Sequence, residues 1–474
     1  GGGNEHARSG GPAEATPTTP GGAPPQCVGA QWQASGDKAS NWTRFVRGRW
    51  PLRWLGVKAV RGKFNNYDKN NGFWDKYEQD IKLAADLNCT TFRFSIEWAR
   101  IEPEPGVIDM EAVRRYHQML DCMASHGLEP NATLWHFVHP LWFEDAGGFT
   151  REENIPAFVA FCKRCFGWFG SKIRLWATIN EPTCYLFLGW IVGMSPPCHF
   201  MDLLGGGRML STMLKAHVAA YHAIKAMPGG DRAQIGLVNH HITFEAQGTG
   251  LLYGVAKEVA EWMTYWVGCN VMEHWMLTGE YMWRIPLLGV GRRWRDPAGR
   301  PPCDWWGINY YSRGVVSWHL TPTHKAQEVM TDMPYPLYAA GLYDAIKRCS
   351  QLGLPMYITE TGIADARDDR RARMINKYFE QVLRAVADGY DVRGVYYWTL
   401  LDSMEWATGY TMKFGLYAWE PDGSVDRKLK EGSSALVRLY RELPDEMSEL
   451  RKVAVRHMLA RRSGDGTTEP VAAG

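Results

Sequence analysis

The sequence predicts an α/β protein, a single domain built as a (β/α)8 TIM barrel with long βα loops. Three observations carry that prediction. Eight short apolar runs recur along the chain, and nearly every one is followed by a stretch with helical periodicity. The runs are apolar throughout rather than alternating, as parallel strands covered by crossover helices are. The length, 474 residues, suits a barrel with insertions.

Each element is read in turn. Residues 1–26 are rich in Gly, Pro, Ala and Thr and are expected to be disordered. The barrel is expected over 27–455, and a basic C-terminal segment with a flexible tail over 456–474. Strand one, Cys27–Gln33, ends on the amide Gln33. Helix Tyr77–Leu87 leads to strand two, Thr91–Ile96, which carries Arg93 among apolar neighbours. A buried arginine is costly unless a carboxylate pairs with it. Helix Met110–His126 precedes strand three, Asn131–Trp135, with His136 just past its end. Helix Ile155–Phe169 precedes strand four, Leu175–Ile179, which runs into Asn180-Glu181-Pro182.

Helix Leu210–Met227 and strand five, Gln234–Asn239, come next, then one long helical pattern over Leu252–Met276. Strand six, Trp305–Tyr310, contains Asn309 and is followed by Tyr311. Helix Leu337–Leu352 precedes strand seven, Met356–Thr359, which runs into Glu360-Thr361-Gly362. Helix Ala372–Gly389 precedes strand eight, Val392–Trp398, and beyond it lie Glu405, Trp406 and Phe414. In a barrel of this kind the ends of the strands form the reactive face.

Two carboxyl groups at the mouths of two buried strands suit cleavage of a glycosidic bond. One has to stay neutral to protonate a leaving oxygen. The other has to stay charged to attack or stabilise a sugar cation. Glu181, desolvated beside Trp176 and Asn180, is the candidate acid; a surface glutamate at a loop start is the competing reading. Glu360 is the candidate nucleophile, kept ionised by Arg93 and hydrogen-bonded by Tyr311. The plainer alternatives are a structural Arg–Glu pair and a core tyrosine. Glu405 with the indoles of Trp398 and Trp406 suits a pyranose ring with several hydroxyls. Gln33 and His136 add polar groups at strand ends, although singly each reads as a satisfied core residue.

Composition narrows the classes. The net charge of +2 gives no reason to expect nucleic acid. The 22 Trp, 21 Tyr and 17 Phe fit a carbohydrate cleft as well as a large core. The ten Cys show no disulfide framework, and Cys162-x-x-Cys165 falls inside a helical pattern, which favours buried thiols over zinc or redox chemistry. Asn41-Trp-Thr, Asn88-Cys-Thr and Asn131-Ala-Thr match the glycosylation acceptor pattern, read as chance because two of them open core strands. No run is long enough to span a bilayer. No signal peptide is visible and a cytoplasmic location is the default; the chain begins with Gly, so its native N-terminus is read as missing.

Together these residues resemble glycoside hydrolase family 1, the retaining β-glycosidases, from about Cys27 to Tyr440. Phe92-Arg93-Phe-Ser-Ile-Glu-Trp98-Ala-Arg100-Ile is similar to the family's second-strand motif. Thr178-Ile-Asn180-Glu181-Pro182 is similar to its acid/base motif and Ile358-Thr-Glu360-Thr-Gly362 to its nucleophile motif. Asp304-Trp-Trp-Gly-Ile-Asn309-Tyr310-Tyr311 and Lys413-Phe414-Gly-Leu-Tyr fit as well.

The resemblance implies Glu181 as acid/base, Glu360 as nucleophile, Asn180 on the sugar's 2-hydroxyl, and Arg93 and Tyr311 orienting Glu360. It implies Gln33, His136, Glu405 and Trp406 on the remaining glycone hydroxyls and Trp398 as the platform under the ring, with Asn309 and Phe414 beside the substrate. It implies an O-glycosyl hydrolase acting by double displacement on terminal β-D-glucosides or β-D-galactosides, with no metal or organic cofactor. The carboxyl groups are then expected about 5–5.5 Å apart.

The chain departs from the family pattern in places. Thr361 stands where Asn is usual. His136-Phe137-Val138 replaces His-Trp-Asp, Asp402-Ser-Met-Glu405-Trp406 replaces Asp-Asn-Phe-Glu-Trp, and Gln33-Ala-Ser-Gly36 replaces Gln-x-Glu-Gly. Glu405 argues against a phosphorylated sugar, whose phosphate it would repel, and Glu181 argues against the thioglucosidase branch.

Two rival functions follow. One is galactosyl transfer between galactolipids, suggested by Gly236-Leu-Val-Asn-His-His241 and by the basic aromatic stretch Arg44–Leu55, which suits peripheral membrane or lipid contact. That stretch, and the basic Arg451–Arg462 segment, read more simply as solvated folded pieces. The other is a catalytically inactive carbohydrate-binding barrel. The partner is a small-molecule β-glycoside in the main reading; the oligomeric state is left open.

Overall fold

The structure, a computed structural model, describes residues 26–29, 38–47, 70–317 and 323–441. Residues 1–25, Gln33, the part of the basic aromatic stretch from 48 to 55, and Arg451–Arg462 lie outside the described residues.

Eight strands form a closed barrel: β1 (Gln26–Gly29), β2 (Thr91–Ser95), β3 (Glu129–Trp135), β4 (Leu175–Asn180), β5 (Gln234–His240), β6 (Trp305–Asn309), β7 (Met356–Thr361) and β8 (Val392–Trp398). They are joined in sequence order, and every pairing is parallel. The expected (β/α)8 barrel is therefore the fold observed. The long helices are α1 (Phe73–Asp86), α2 (Met110–Ser125), α3 (Ile155–Phe169), α4 (Leu203–Lys225), α5 (Leu251–Trp266), α6 (Asn270–Thr278), α7 (Ala340–Cys349) and α8 (Arg371–Ala387).

The α2 helix shows how sequence sets these pieces. Asp109 caps it, accepting from the Ala112 amide at 3.0 Å, which satisfies one of the donors a helix leaves open at its start. Ala112, Val113, Tyr116, Met119, Leu120 and Met123 are buried, the spacing of a single core-facing stripe.

Inside the barrel, Leu175, Ala177, Val238, Trp305, Tyr357 and Tyr396 pack together. Tyr396 also shares hydrogen bonds with Thr91 (3.1 Å) and Asn131 (2.9 Å), reaching across from β8 to β2 and β3. Asn131 and Asn41 are buried and Asn88 is exposed. Most tryptophans fill the core: Trp98, Trp135, Trp176, Trp275, Trp283, Trp305 and Trp306 are fully buried. Cys162 and Cys165 are buried thiols within α3.

Two helices differ from expectation. The pattern at Leu210–Met227 begins earlier, at Leu203, and takes in Gly205-Gly206-Gly207, a run that reads as a break. Asp202 caps the helix through the Gly205 amide at 2.8 Å. A Cβ on Gly207 would lie 2.2 Å from the Trp283 ring, so close packing, not propensity, sets the helix start. The single helix expected over Leu252–Met276 is two, α5 and α6. At Gly268 the chain passes so near the carbonyl of Ile242 that a Cβ would sit 2.1 Å from it.

The start of the basic aromatic stretch is a packed piece of the fold. Residues Asn41–Arg47 form a short helix with Trp42 and Phe45 buried, and Arg44 pairs with Asp145. No described helix is long and apolar enough to cross a membrane.

Candidate active site

Apart from Gln33, the polar side chains that the sequence marks at strand ends converge at the C-terminal mouth of the barrel. Arg93 leaves β2 and donates to Glu360 Oε1 at 2.7 Å and to Asn180 Oδ1 at 2.7 Å. Asn309, the last residue of β6, donates to Glu181 Oε1 at 2.7 Å and to Asn180 Oδ1 at 3.2 Å. One chain of hydrogen bonds thus runs Glu360–Arg93–Asn180–Asn309–Glu181. Thr359 fixes the Asn309 amide by donating to its Oδ1 at 2.7 Å, so the Nδ2 donors must face the two acceptors. Tyr311 donates to the second oxygen of Glu360 at 2.7 Å.

His136 contacts Asn180 Nδ2 through Nε2 at 3.1 Å and Ser95 Oγ through Nδ1 at 3.4 Å. Burial and the nearby Arg93 push its pKa far below the usual range, so it is a neutral group. Its ring stacks on Trp398 and Trp406, with centroids 5.7 Å away in both cases. The Trp398 indole donates to Glu405 at 3.4 Å. Phe414 packs edge-on against Tyr311. Trp406 also leans on Trp42 at 4.9 Å and Phe137 at 5.0 Å.

One expectation needs correcting. Trp176 does not form the wall beside Glu181. It lies on the helix side of β4, donating to the Ile173 carbonyl at 3.0 Å and packing on Phe166. Side chains alternate along a strand, so Trp176 and Asn180 would share a face in an unbroken β4. The register of β4 against β5 shifts between Ala177 and Asn180, which turns Asn180 into the cleft.

Burial dominates the electrostatics. Desolvation raises Glu181 to about 7, against the opposing hydrogen bonds of Asn309 and Cys184 and the charge of Arg93. Glu360 also rises to about 7, because desolvation outweighs Arg93 and the charge of Glu181 adds to it. Glu405 is pushed up to about 8, again by desolvation first. Arg93 alone therefore does not hold Glu360 in the ordinary carboxylate range, as the sequence suggested. Its partners still separate it from Glu181. Both Glu360 oxygens accept from donors, and one of those donors is a permanent cation. Glu181 accepts from a neutral amide and a thiol. A proton shared between the two carboxyls therefore favours Glu181.

Some of the site was not visible in the sequence reading. Glu181 has φ 46°, a left-handed conformation for a residue with a Cβ. Such backbone costs about 1–3 kcal/mol; here the hydrogen bond that the Glu181 N–H donates to the Val238 carbonyl (2.9 Å) and Pro182 at the first turn of the following short helix hold it. Cys184, one helical turn on, brings its thiol within 4.8 Å of the Glu181 carboxyl and favours its charged form; its spacing of three from Glu181 was the available signal. Tyr335, from the loop after β6, interacts electrostatically with Glu405 and Glu181, and no local pattern marks it. Gln33 lies outside the described residues.

Comparison with known proteins converges on one family. The model of glycosyl hydrolase family 1 matches residues 22–443. A β-glucosidase of Arabidopsis thaliana, Beta-glucosidase 28, is 29% identical over 437 residues, covering 78% of this chain and 73% of the relative. A β-galactosidase of Pyrococcus woesei is 24% identical over 456 residues, covering 80% and 87%. The solved β-glycosidase from Pyrococcus horikoshii superposes with a TM-score of 0.73 at 26% identity, covering 88% of this chain and 93% of that one.

Proposed function

We propose that this chain, which belongs to glycosyl hydrolase family 1 and is a β-glycosidase, acts by retaining double displacement on the terminal sugar of β-D-glucosides or β-D-galactosides. The observation that carries the reading is the hydrogen-bond chain from Glu360 through Arg93, Asn180 and Asn309 to Glu181. It gives one of two buried carboxyls a cationic partner and the other none.

In the first step Glu360 attacks the anomeric carbon and forms an ester bond to it. The bond to the leaving oxygen breaks, and Glu181 supplies that oxygen with its proton. The Glu360 charge vanishes on esterification, and with it a charge that holds the Glu181 proton in place. Glu181 is then the stronger acid and, once ionised, a base. In the second step it takes a proton from water, the water oxygen attacks the anomeric carbon, and Glu360 departs as a carboxylate. Arg93 and Tyr311 receive the returning charge.

In this reading Asn180 takes the 2-hydroxyl, His136 and Glu405 take other ring hydroxyls, and the Trp398 face takes the ring itself. The names of the relatives, which include a 6-phospho-β-galactosidase, support glucosides and galactosides alike. With its pKa pushed up to about 8 by burial, Glu405 is protonated near neutrality, so it can hydrogen-bond ring hydroxyls but does not repel a phosphorylated sugar by charge as the sequence suggested.

Proton NMR of the first product tests the mechanism: the β-anomer is expected, and the α-anomer would exclude a glycosyl-enzyme. A 2-fluoro glycoside is expected to label Glu360; a label on another peptide, or none with turnover intact, overturns the assignment. A barrel that only binds sugar would show neither label nor aglycone burst.

A further inference from the structure

A second cluster of reactive side chains lies outside the cleft. His241 directly follows β5. Cys269 caps α6, Glu273 lies on that helix, and Cys349 ends α7. All four are buried, none more than 7% exposed. His241, Cys269 and Glu273 each offer a ligand atom within 4.8 Å of the other two. Cys349 Sγ stands beside that group of three, 3.7 Å from His241 Nδ1 and 4.0 Å from Glu273 Oε1. His241 Nδ1 and Glu273 Oε1 stand 3.6 Å apart.

The 3.6 Å His241–Glu273 separation is long for an ordinary N–H···O hydrogen bond, whose upper limit is about 3.2 Å, while the two contacts to Cys349 Sγ are those of weak thiol hydrogen bonds. These separations are near the edges of a tetrahedron. Zinc binds nitrogen and oxygen at about 2.0–2.2 Å and sulfur at about 2.3 Å, which sets ligand–ligand edges of roughly 3.3–3.8 Å. Of the six edges, His241–Glu273 and His241–Cys349 fall in that range and Glu273–Cys349 exceeds it by a few tenths of an ångström; Cys269 Sγ, within 4.8 Å of His241 and Glu273, has to close in on the ion.

From this geometry we infer that His241, Cys269, Glu273 and Cys349 form a structural site for a thiophilic divalent cation, zinc by ligand type. The cation replaces the two thiol protons, which leave to solvent. Charge then balances. Two thiolates and the Glu273 carboxylate face the divalent ion and Arg348, which donates to the other Glu273 oxygen at 2.5 Å and to Asn270 at 2.6 Å. With four protein ligands the site is closed, so its role is to join elements rather than to activate water.

The elements joined bear on the cleft. The His241 amide donates to the Asn309 carbonyl at 2.9 Å, and the Asn309 side chain holds Glu181. A bound ion would tie the loop after β5 to the start of α6 and the end of α7, beneath the acid side of the site.

The test is metal content of the full chain, produced in zinc-supplemented medium and desalted, read by plasma mass spectrometry. About one zinc per chain is expected, and cobalt exchange should give the thiolate charge-transfer bands of a tetrahedral site. Cys269→Ser and Cys349→Ser should each weaken those bands, and the double variant should lose the metal. Cys184→Ser is the control, because Glu181, Cys184 and His240 also lie within 4.8 Å of one another. A metal that follows Cys184 instead overturns the assignment. So do wild-type protein without metal, a disulfide between Cys269 and Cys349 in its place, or metal retained by the double variant. Should the serine variants fail to fold, refolding the wild-type chain with and without zinc decides: equal yield and no bound zinc overturn the inference.

Discussion

The two sides of the cleft are buried alike and held differently. Burial lifts Glu181 and Glu360 both to about 7. On the Glu360 side, β7 presents the carboxyl where its register against β6 and β8 shifts, without a left-handed residue, and Arg93 and Tyr311 grip its two oxygens at 2.7 Å each. On the Glu181 side, the backbone is turned left-handed, and one oxygen is held by the Asn309 amide. The difference shows that desolvation makes both groups able to hold a proton near neutrality, while the partners decide which one does. A gripped carboxylate cannot swing, so it suits bond formation to carbon. A carboxyl held at one oxygen keeps the other available to give and take a proton.

The comparison breaks most visibly at Glu360. Replacing it with alanine removes the proposed nucleophile, and kcat on an aryl β-glucoside should fall by about four to six orders of magnitude. Azide, entering the space left, should restore some turnover and yield an α-glycosyl azide. Glu360→Ala with near-native turnover and β-product would mean that the gripped side is merely structural.

Glu181→Gln should be the next largest. Loss of general acid catalysis costs about 10²- to 10⁴-fold. The loss should shrink with a dinitrophenyl leaving group, which needs little protonation. The pH profile is the sharper readout. A raised carboxyl pKa means the acid stays protonated up to about 7 and loses its proton above it. The wild-type kcat/KM should therefore fall on the alkaline side near neutrality, and Glu181→Gln should abolish that limb. A limb that persists in the variant assigns it to another group.

How far this site was legible follows the same division. The barrel could be read because its strands are continuous apolar runs and its helices carry periodic stripes; the site could be read because Arg93, Asn180, Asn309 and Glu360 sit within or at the ends of those runs. Strand geometry then fixes where each points. What failed was set by tertiary approach. Gly268 breaks one helical pattern and Gly207 lets another start early, each because a neighbour lies where a Cβ would be. Trp176 was misplaced because the β4–β5 register shift has no local signature. Tyr335 reaches the cleft from a loop whose path no periodicity encodes.

Arg93→Gln sharpens the comparison at intermediate size. A hydrogen bond to a charged group contributes about 1.5–3 kcal/mol, so kcat/KM should fall roughly 10- to 150-fold. Removing the cation disfavours the Glu360 carboxylate, so the acidic limb should move to higher pH. Tyr311→Phe should move it the same way and less, because the hydroxyl carries no charge. An unmoved acidic limb in both would mean that burial alone sets the Glu360 proton affinity.

The smallest effect is expected at Cys184. Its hydrogen bond lowers the Glu181 pKa against the upward pull of burial, because a donor to the charged form favours that form. Cys184→Ala removes the donor without adding charge. The Glu181 proton should then be held to higher pH, and the alkaline limb of kcat/KM should shift upward with little loss at its plateau. Cys184→Ser, which keeps a donor, should sit between alanine and wild type. A downward shift in the alanine variant would mean that the thiol, not its hydrogen bond, is what desolvates Glu181. The acid side of the cleft would then be tuned by packing, and the contrast with the gripped Glu360 would rest on the presence of Arg93 alone.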